Sequence, residues 1–161
     1  MTIVNTKRDP LTVGVVQHVE SEGPAAIATW FQSRGHRLAV WKPYRTGSRI
    51  PSEVASSQLL VLMGGPMSAN DHDELPWISA ELDLVRDRTR AGSPILGVCL
   101  GAQLLAKSLG ACVGACHHRE IGWHPVQVFS TPSSGDPWRE VFEQPQAITV
   151  LHWHGESFSL P

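Results

Sequence analysis

The segment Ser93-Pro94-Ile95-Leu96-Gly97-Val98-Cys99-Leu100-Gly101-Ala102-Gln103-Leu104-Leu105 constrains the fold more than any other stretch of the chain. The apolar residues around Gly97 read as a buried strand, and Leu104, Leu105 and Leu109 then recur at helical spacing. Cys99 therefore sits where a strand turns sharply into a helix, flanked by Gly97 and Gly101. A side chain on such a turn is held out from the backbone, and small neighbours let another molecule approach it. The N–H groups at the start of the helix point toward the sulfur, and their partial positive charge favours thiolate over thiol. Most cysteines are simply buried apolar residues. The Gly-x-Cys-x-Gly frame at a strand–helix junction points instead to a nucleophile.

Elsewhere the pattern alternates. Strands are predicted over residues 11–16, 36–41, 58–63, 95–98, 111–115, 126–129 and 147–153, and helices over 24–34, 75–90 and 103–109. Residues 43–51 and 131–137, rich in Gly, Ser and Pro, read as loops. Strands alternating with helices imply a mainly parallel sheet covered on both faces, a three-layer αβα fold. Ligands of such sheets bind beyond the C-terminal ends of the strands. Three segments converge there: Gly64-Gly65-Pro66, Cys99-Leu100-Gly101 and His152-Trp153-His154.

A chain of 161 residues, 42% apolar and 17% charged, is expected to form a single soluble domain over residues 1–161. The net charge of −2 and the lack of a basic run argue against nucleic acid as a partner. The longest apolar run, residues 59–63, is too short to cross a bilayer, and residues 1–10 are too polar for a secretion signal. The cytoplasm is the expected compartment. Three cysteines cannot form a full disulfide framework. Cys112 and Cys116, followed by His117 and His118, lack the paired Cys-x-x-Cys hooks of a zinc site, so no metal and no cofactor is expected.

A cysteine nucleophile needs a base, donors for the developing oxyanion and a pocket. Among eight histidines, His152 and His154 follow a strand directed at the active edge, and alternation places both on one face. A strand that breaks at Gly155 leaves His154 at the tip, which favours it over His152 as the base. The Leu100 N–H, just after the nucleophile, is one oxyanion donor by the geometry of the elbow, and Gly65 supplies the second candidate. Gln103 lies one helical turn beyond Cys99 and could hydrogen-bond a polar substrate. Trp123, in Glu120-Ile121-Gly122-Trp123, belongs either to the core or to a pocket wall.

Four segments together resemble the class I glutamine amidotransferases, in particular free-standing domains similar to the glutaminase part of GMP synthase. They are Val61-Leu62-Met63-Gly64-Gly65-Pro66-Met67-Ser68, Ile95 to Leu105, Glu120-Ile121-Gly122-Trp123, and Trp153-His154-Gly155-Glu156-Ser157-Phe158. The resemblance implies a flavodoxin-like sheet and hydrolysis of the glutamine side-chain amide through a thioester. It implies Cys99 as nucleophile, His154 as base, Gly65 and Leu100 as oxyanion donors, and Gln103, Gly64, Gly122 and Trp123 around bound glutamine or a γ-glutamyl amide. The ammonia acceptor would be a separate synthetase.

The family's triad is Cys-His-Glu, with the Glu shortly after the His in a His-Pro-Glu setting. No such segment precedes Pro161, and Glu156 lies too close to His154 to reach around its ring. The expectation is a domain lacking its C-terminal strand and helix, weakly active and marginally stable. Two further readings stay open: a γ-glutamyl peptide hydrolase, and a catalytically degenerate binding module.

Overall fold

The computed structural model describes residues 9–127 and 147–160. They fall into two compact units, one running to Gly114 and resuming at Ser157, the other covering Ala115–Glu156. The predicted loop at 131–137 and the end of the predicted strand at 126–129 lie outside the described residues.

The first unit follows the alternating pattern. Its elements are β1 (Thr12–Val16), α1 (Ala25–Ser33), β2 (Arg37–Trp41), α2 (Pro43–Thr46), α3 (Ser52–Ala55), β3 (Leu59–Leu62), α4 (Pro76–Arg90), β4 (Ile95–Gly97) and α5 (Leu100–Ser108). The four strands pair in parallel in the order β2-β1-β3-β4. This is the beginning of the flavodoxin-like order, and its central strands are the ones that read as continuous apolar runs.

Period-two alternation divides the central strands between two cores. Val13, Val15, Val61 and Met63 face one side, where Ile27 and Phe31 of α1 pack against them. Val16, Leu60 and Leu62 face the other, against Trp77, Ile78, Leu82 and Val85 of α4 and Leu100 and Leu104 of α5. These layers are the αβα sandwich expected from the sequence. Burying each such side chain contributes about 1.5–3 kcal/mol, so the sheet centre is firmly held. Gly14 of β1 faces Val54 and Ser57, and a Cβ there would lie 3.0 Å from the Val54 carbonyl oxygen.

Residues 43–51, predicted as loop, contain the four-residue α2, and α3 follows directly. Both are single turns, too short to leave a periodic signal. α5 begins at Leu100 rather than Gln103, because Cys99 itself occupies the cap position.

β5 (Val113–Gln127) and β6 (Ala147–Phe158) form a separate two-stranded sheet. Cys116 meets His154 and Glu120 meets His152, with sequence separation falling from 38 to 32 residues, which marks the pair as antiparallel. The strand predicted over 147–153 does not end at Gly155; it continues to Phe158. A Cβ at Gly155 would lie 3.4 Å from the Arg119 Cγ, an ordinary contact with a flexible side chain, and the strand runs straight through this glycine.

Candidate active site

Cys99 is held at φ 51°, ψ −109°, one of two non-glycine residues with positive φ among the described residues. Such a conformation costs on the order of 1–3 kcal/mol and persists only where the surroundings over-determine it. Those surroundings are explicit. The Gly101 N–H donates to the carbonyls of Val98 (2.9 Å) and Met63 (3.1 Å), and the N–H groups of Ala102 (2.9 Å) and Gln103 (3.1 Å) donate to the Cys99 carbonyl. The Val98 N–H in turn donates to the Leu62 carbonyl at 2.9 Å, tying the elbow to β3.

The two flanking glycines answer to the backbone first. A Cβ at Gly101 would lie 2.3 Å from the Leu62 carbonyl oxygen, and one at Gly97 would lie 2.6 Å from the Ala102 nitrogen. Neither neighbour can swing aside. The frame that the sequence suggests as room for an approaching molecule is therefore also the condition for seating α5 against β3.

The thiol is solvent-exposed. Partial burial of the sulfur pushes its pKa up, the Leu100 N–H pulls it down, and the nearby Glu22 carboxylate pushes it up again; the net direction is upward. The Leu100 N–H favours the thiolate, as the helix start suggests, but loss of hydration and the Glu22 charge outweigh it.

Gly64 and Gly65 leave the end of β3 beside this elbow. A Cβ at Gly64 would lie 3.6 Å from the Cys99 Cβ and 2.7 Å from Glu22 Oε2. At Gly65 it would lie 3.0 Å from the His18 Cβ and 3.1 Å from Leu100 Cδ2. Cys99, Leu100, Gly64 and Gly65 are therefore gathered at one point, as the sequence suggests. Gln103, on α5, is buried rather than an exposed amide.

Two charged groups at this edge escape the sequence reading. His18, two residues beyond β1, is fully buried. Its Nδ1 lies 3.1 Å from the Gly64 carbonyl oxygen, and its Nε2 lies 3.0 Å from each carboxylate oxygen of Glu81 on α4, which is also fully buried. Trp77 stacks on the imidazole at 5.7 Å. Burial alone lowers the His18 pKa; the hydrogen bond and charge of Glu81, with the carbonyls of Gly64 and Met63, raise it by more, and the net direction is upward. Glu22 is the second group. The strand-end rule that singles out His152 and His154, applied to β1, would have found His18.

The remaining candidates lie in the second unit. Gly122 adopts φ 133°, and Trp123 is 71% exposed, so it is not a core residue of that unit. His154 lies inside β6 rather than at a strand tip. Its Nε2 is 3.0 Å from Glu120 Oε2, and its Nδ1 is 3.1 Å from the Glu156 carbonyl oxygen and 3.8 Å from Cys116 Sγ. His152 Nδ1 meets the same Glu120 oxygen at 2.7 Å. The hydrogen bond from His152, with the charges of both histidines, holds the Glu120 carboxyl below its ordinary range. Ligand atoms of Glu120, His152 and His154 lie within 4.8 Å of one another, a spacing that could hold a metal ion.

A family model for class-I glutamine amidotransferases matches residues 21–160. Among curated proteins, a glutamine amidotransferase-like protein of Salmonella typhimurium, YfeJ, is 30% identical over 149 residues, covering 91% of this chain and 61% of its own length. The glutamine-hydrolysing GMP synthase of Rhodopseudomonas palustris is 32% identical over 114 residues, 71% of this chain and 17% of that enzyme. The crystal structure of a glutamine amidotransferase from Methylobacillus flagellatus superposes with a TM-score of 0.83 at 33% identity, covering 95% of this chain and 59% of that one. One from Thermotoga maritima gives a TM-score of 0.80 at 30% identity, covering 96% and 64%. The chain thus spans about three-fifths of the length of YfeJ and of these two structures. With the match extending through the β3 end, the cysteine elbow and both strands of the second sheet, the chain belongs to the class-I glutamine amidotransferase family.

Proposed function

We propose that this chain hydrolyses the side-chain amide of glutamine, with Cys99 as nucleophile and His154 as base. The observation that carries the proposal is the strained backbone of Cys99 at the β4–α5 junction, with the Leu100 N–H directed at its sulfur. In the reaction the Cys99 Sγ, once its proton is removed, bonds to the amide carbon. The carbonyl oxygen takes up negative charge and accepts hydrogen bonds from the Leu100 and Gly65 N–H groups. The C–N bond then breaks, the nitrogen gains a proton and leaves as ammonia, and a thioester remains. Water adds to the thioester carbon, the C–S bond breaks, and glutamate and the thiol are released.

His154 is taken as the base that accepts the Cys99 proton; its ring nitrogens lie 3.0 Å from Glu120 Oε2 and 3.1 Å from the Glu156 carbonyl oxygen. Gln103, buried one turn beyond the sulfur, is taken as a contact for the substrate. The name of the GMP synthase relatives suggests a synthetase as the consumer of the ammonia. No described helix is long and apolar enough to cross a membrane, and we place the reaction in the cytoplasm, where thiols stay reduced.

Intact mass spectrometry tests the proposal directly. The chain is incubated with a glutamine analogue that carries an electrophilic carbon in place of the amide. A single adduct is expected on the unaltered protein and on the Cys112→Ser and Cys116→Ser variants, and none on Cys99→Ala. Free glutamine should suppress it. A folded chain that takes a small alkylating agent at Cys99 but never the analogue would remove glutamine from the reading. Equal loss in all three cysteine variants would remove Cys99.

A further inference from the structure

The buried pair formed by His18 and Glu81 has no partner in the chemistry above, although both residues are completely enclosed. A buried ion pair is a poor device for stability alone, because desolvation offsets most of the attraction. Its position is more informative. The Gly64 carbonyl can only accept a hydrogen bond, so the proton between it and His18 resides on Nδ1. Glu81 engages Nε2 with both oxygens and fixes the ring from the other side. Trp77 stacks on the ring, and the Cβ of His18 approaches Gly65 closely enough that a side chain there would touch it.

The carbonyl of Gly64 and the N–H of Gly65 belong to one planar trans peptide, and in such a unit the two groups point in opposite directions. Drawing the carbonyl inward to His18 therefore turns the Gly65 N–H outward. Glycine at both positions leaves this peptide free to rotate, because neither residue has a Cβ to restrict it. Something else must choose the orientation.

We infer that His18 and Glu81 are positioning residues that lock the Gly64–Gly65 peptide with its N–H turned toward the oxyanion formed at Cys99. The inference rests on the reading of Gly65 as an oxyanion donor. Preorganised donors of this kind act because they need no reorientation as charge develops. A peptide free to flip would spend part of its time presenting a carbonyl oxygen to the oxyanion, which repels it.

Two double variants separate this role from a purely structural one. His18→Leu/Glu81→Leu and His18→Asn/Glu81→Leu both remove the buried charges, so neither leaves an unpaired ion. They differ in whether position 18 still offers an N–H to the Gly64 carbonyl. Crystal structures of both and of the unaltered chain are expected to show the peptide turned in the first and retained in the second. Ammonia release should fall about a hundredfold in kcat for the first, with KM within threefold, and should largely recover in the second. Alkylation of Cys99 by iodoacetamide should proceed in all three, which reports an accessible elbow. An unturned peptide in the leucine pair overturns the inference whether or not the chain is active, and so does a turned peptide with unchanged kcat. A turned peptide in a series where even the unaltered chain releases no ammonia upholds the anchoring and sinks the glutaminase reading instead.

Discussion

At Cys99 the two requirements of a nucleophile, access and ionisation, pull against each other. The elbow exposes the sulfur, yet the protein atoms around it remove enough water to push the thiol pKa upward. Glu22 adds to that push with a carboxylate lying across Gly64 from the cysteine. A negative charge disfavours the thiolate, so Glu22→Gln should lower the thiol pKa and leave the Leu100 N–H less opposed. Only the thiolate reacts with iodoacetamide. The pH profile of Cys99 alkylation in Glu22→Gln should therefore shift toward lower pH, with the plateau rate at high pH unchanged. A profile that stays in place, or moves to higher pH, would mean that Glu22 does not act on the sulfur through its charge. The sequence points to Cys99, Leu100 and the glycine pair because strand–turn–helix punctuation is a local signal. Glu22 and Glu81 are illegible for the opposite reason, and His18 is marked in sequence only by its place just past a strand end. Their meaning lies in contacts such as that between positions 18 and 81, across 63 residues of sequence.

Among the elements, the seat of α5 against β3 is where local pattern and tertiary packing agree most closely. β3 is legible as an uninterrupted apolar run and α5 as leucines at helical spacing, but their separation is set by Gly101. Replacing it with alanine would drive a Cβ to 2.3 Å from the Leu62 carbonyl oxygen and 2.5 Å from the Leu62 Cβ. Since one of these is backbone, relief requires α5 to move as a body, at a cost of about 3 kcal/mol. Gly101→Ala should lower the midpoint of thermal unfolding by several degrees and reduce labelling of Cys99 by the glutamine analogue. Gly110→Ala is a useful contrast. Its φ of 96° makes alanine strained, yet no atom lies within 4 Å of the added methyl, so it should lower the melting temperature without altering labelling. Equal labelling by Gly101→Ala and the unaltered chain would show that the elbow tolerates displacement of its helix. The second sheet is less legible in sequence. A glycine inside a strand reads as a stop, yet β6 stays paired with β5 through Gly155. The end of that strand had also decided between His154 and His152. Once the strand continues, the tip that favoured His154 disappears, and the two histidines become neighbours on one face sharing Glu120.

For the molecule as a whole, the division into two compact units carries an energetic asymmetry. In the first, β1 and β3 are enclosed on both faces, and Val13, Val15, Leu60, Val61 and Leu62 are wholly withdrawn from solvent. In the second, among the described residues, β5 and β6 pair only with each other, and a two-stranded sheet is marginal without further packing. Its large apolar side chains remain in water: Ile121 is 57% exposed, Trp123 71% and Trp153 70%. The shared Glu120 joins its strands, but its carboxylate is itself half exposed and can supply only a modest constraint. Local opening free energy scales with buried apolar contact rather than with the number of hydrogen bonds drawn. Amide hydrogen exchange of the 161-residue chain should therefore be slowest at β1 and β3, where it reports global unfolding. At β5 and β6 it should be at least tenfold faster, corresponding to about 1.4 kcal/mol or more of difference in opening free energy. A glutamine analogue bound covalently at Cys99 would extend the test. If Gly122 and Trp123 contact glutamine, as the family resemblance implies, labelling should slow exchange at β5 beyond any change at β1. Protection of β5 equal to that of β1 before labelling would show that the second unit is buttressed by packing beyond its own two strands. An unchanged β5 after labelling would confine substrate binding to the β3 and α5 side of the site.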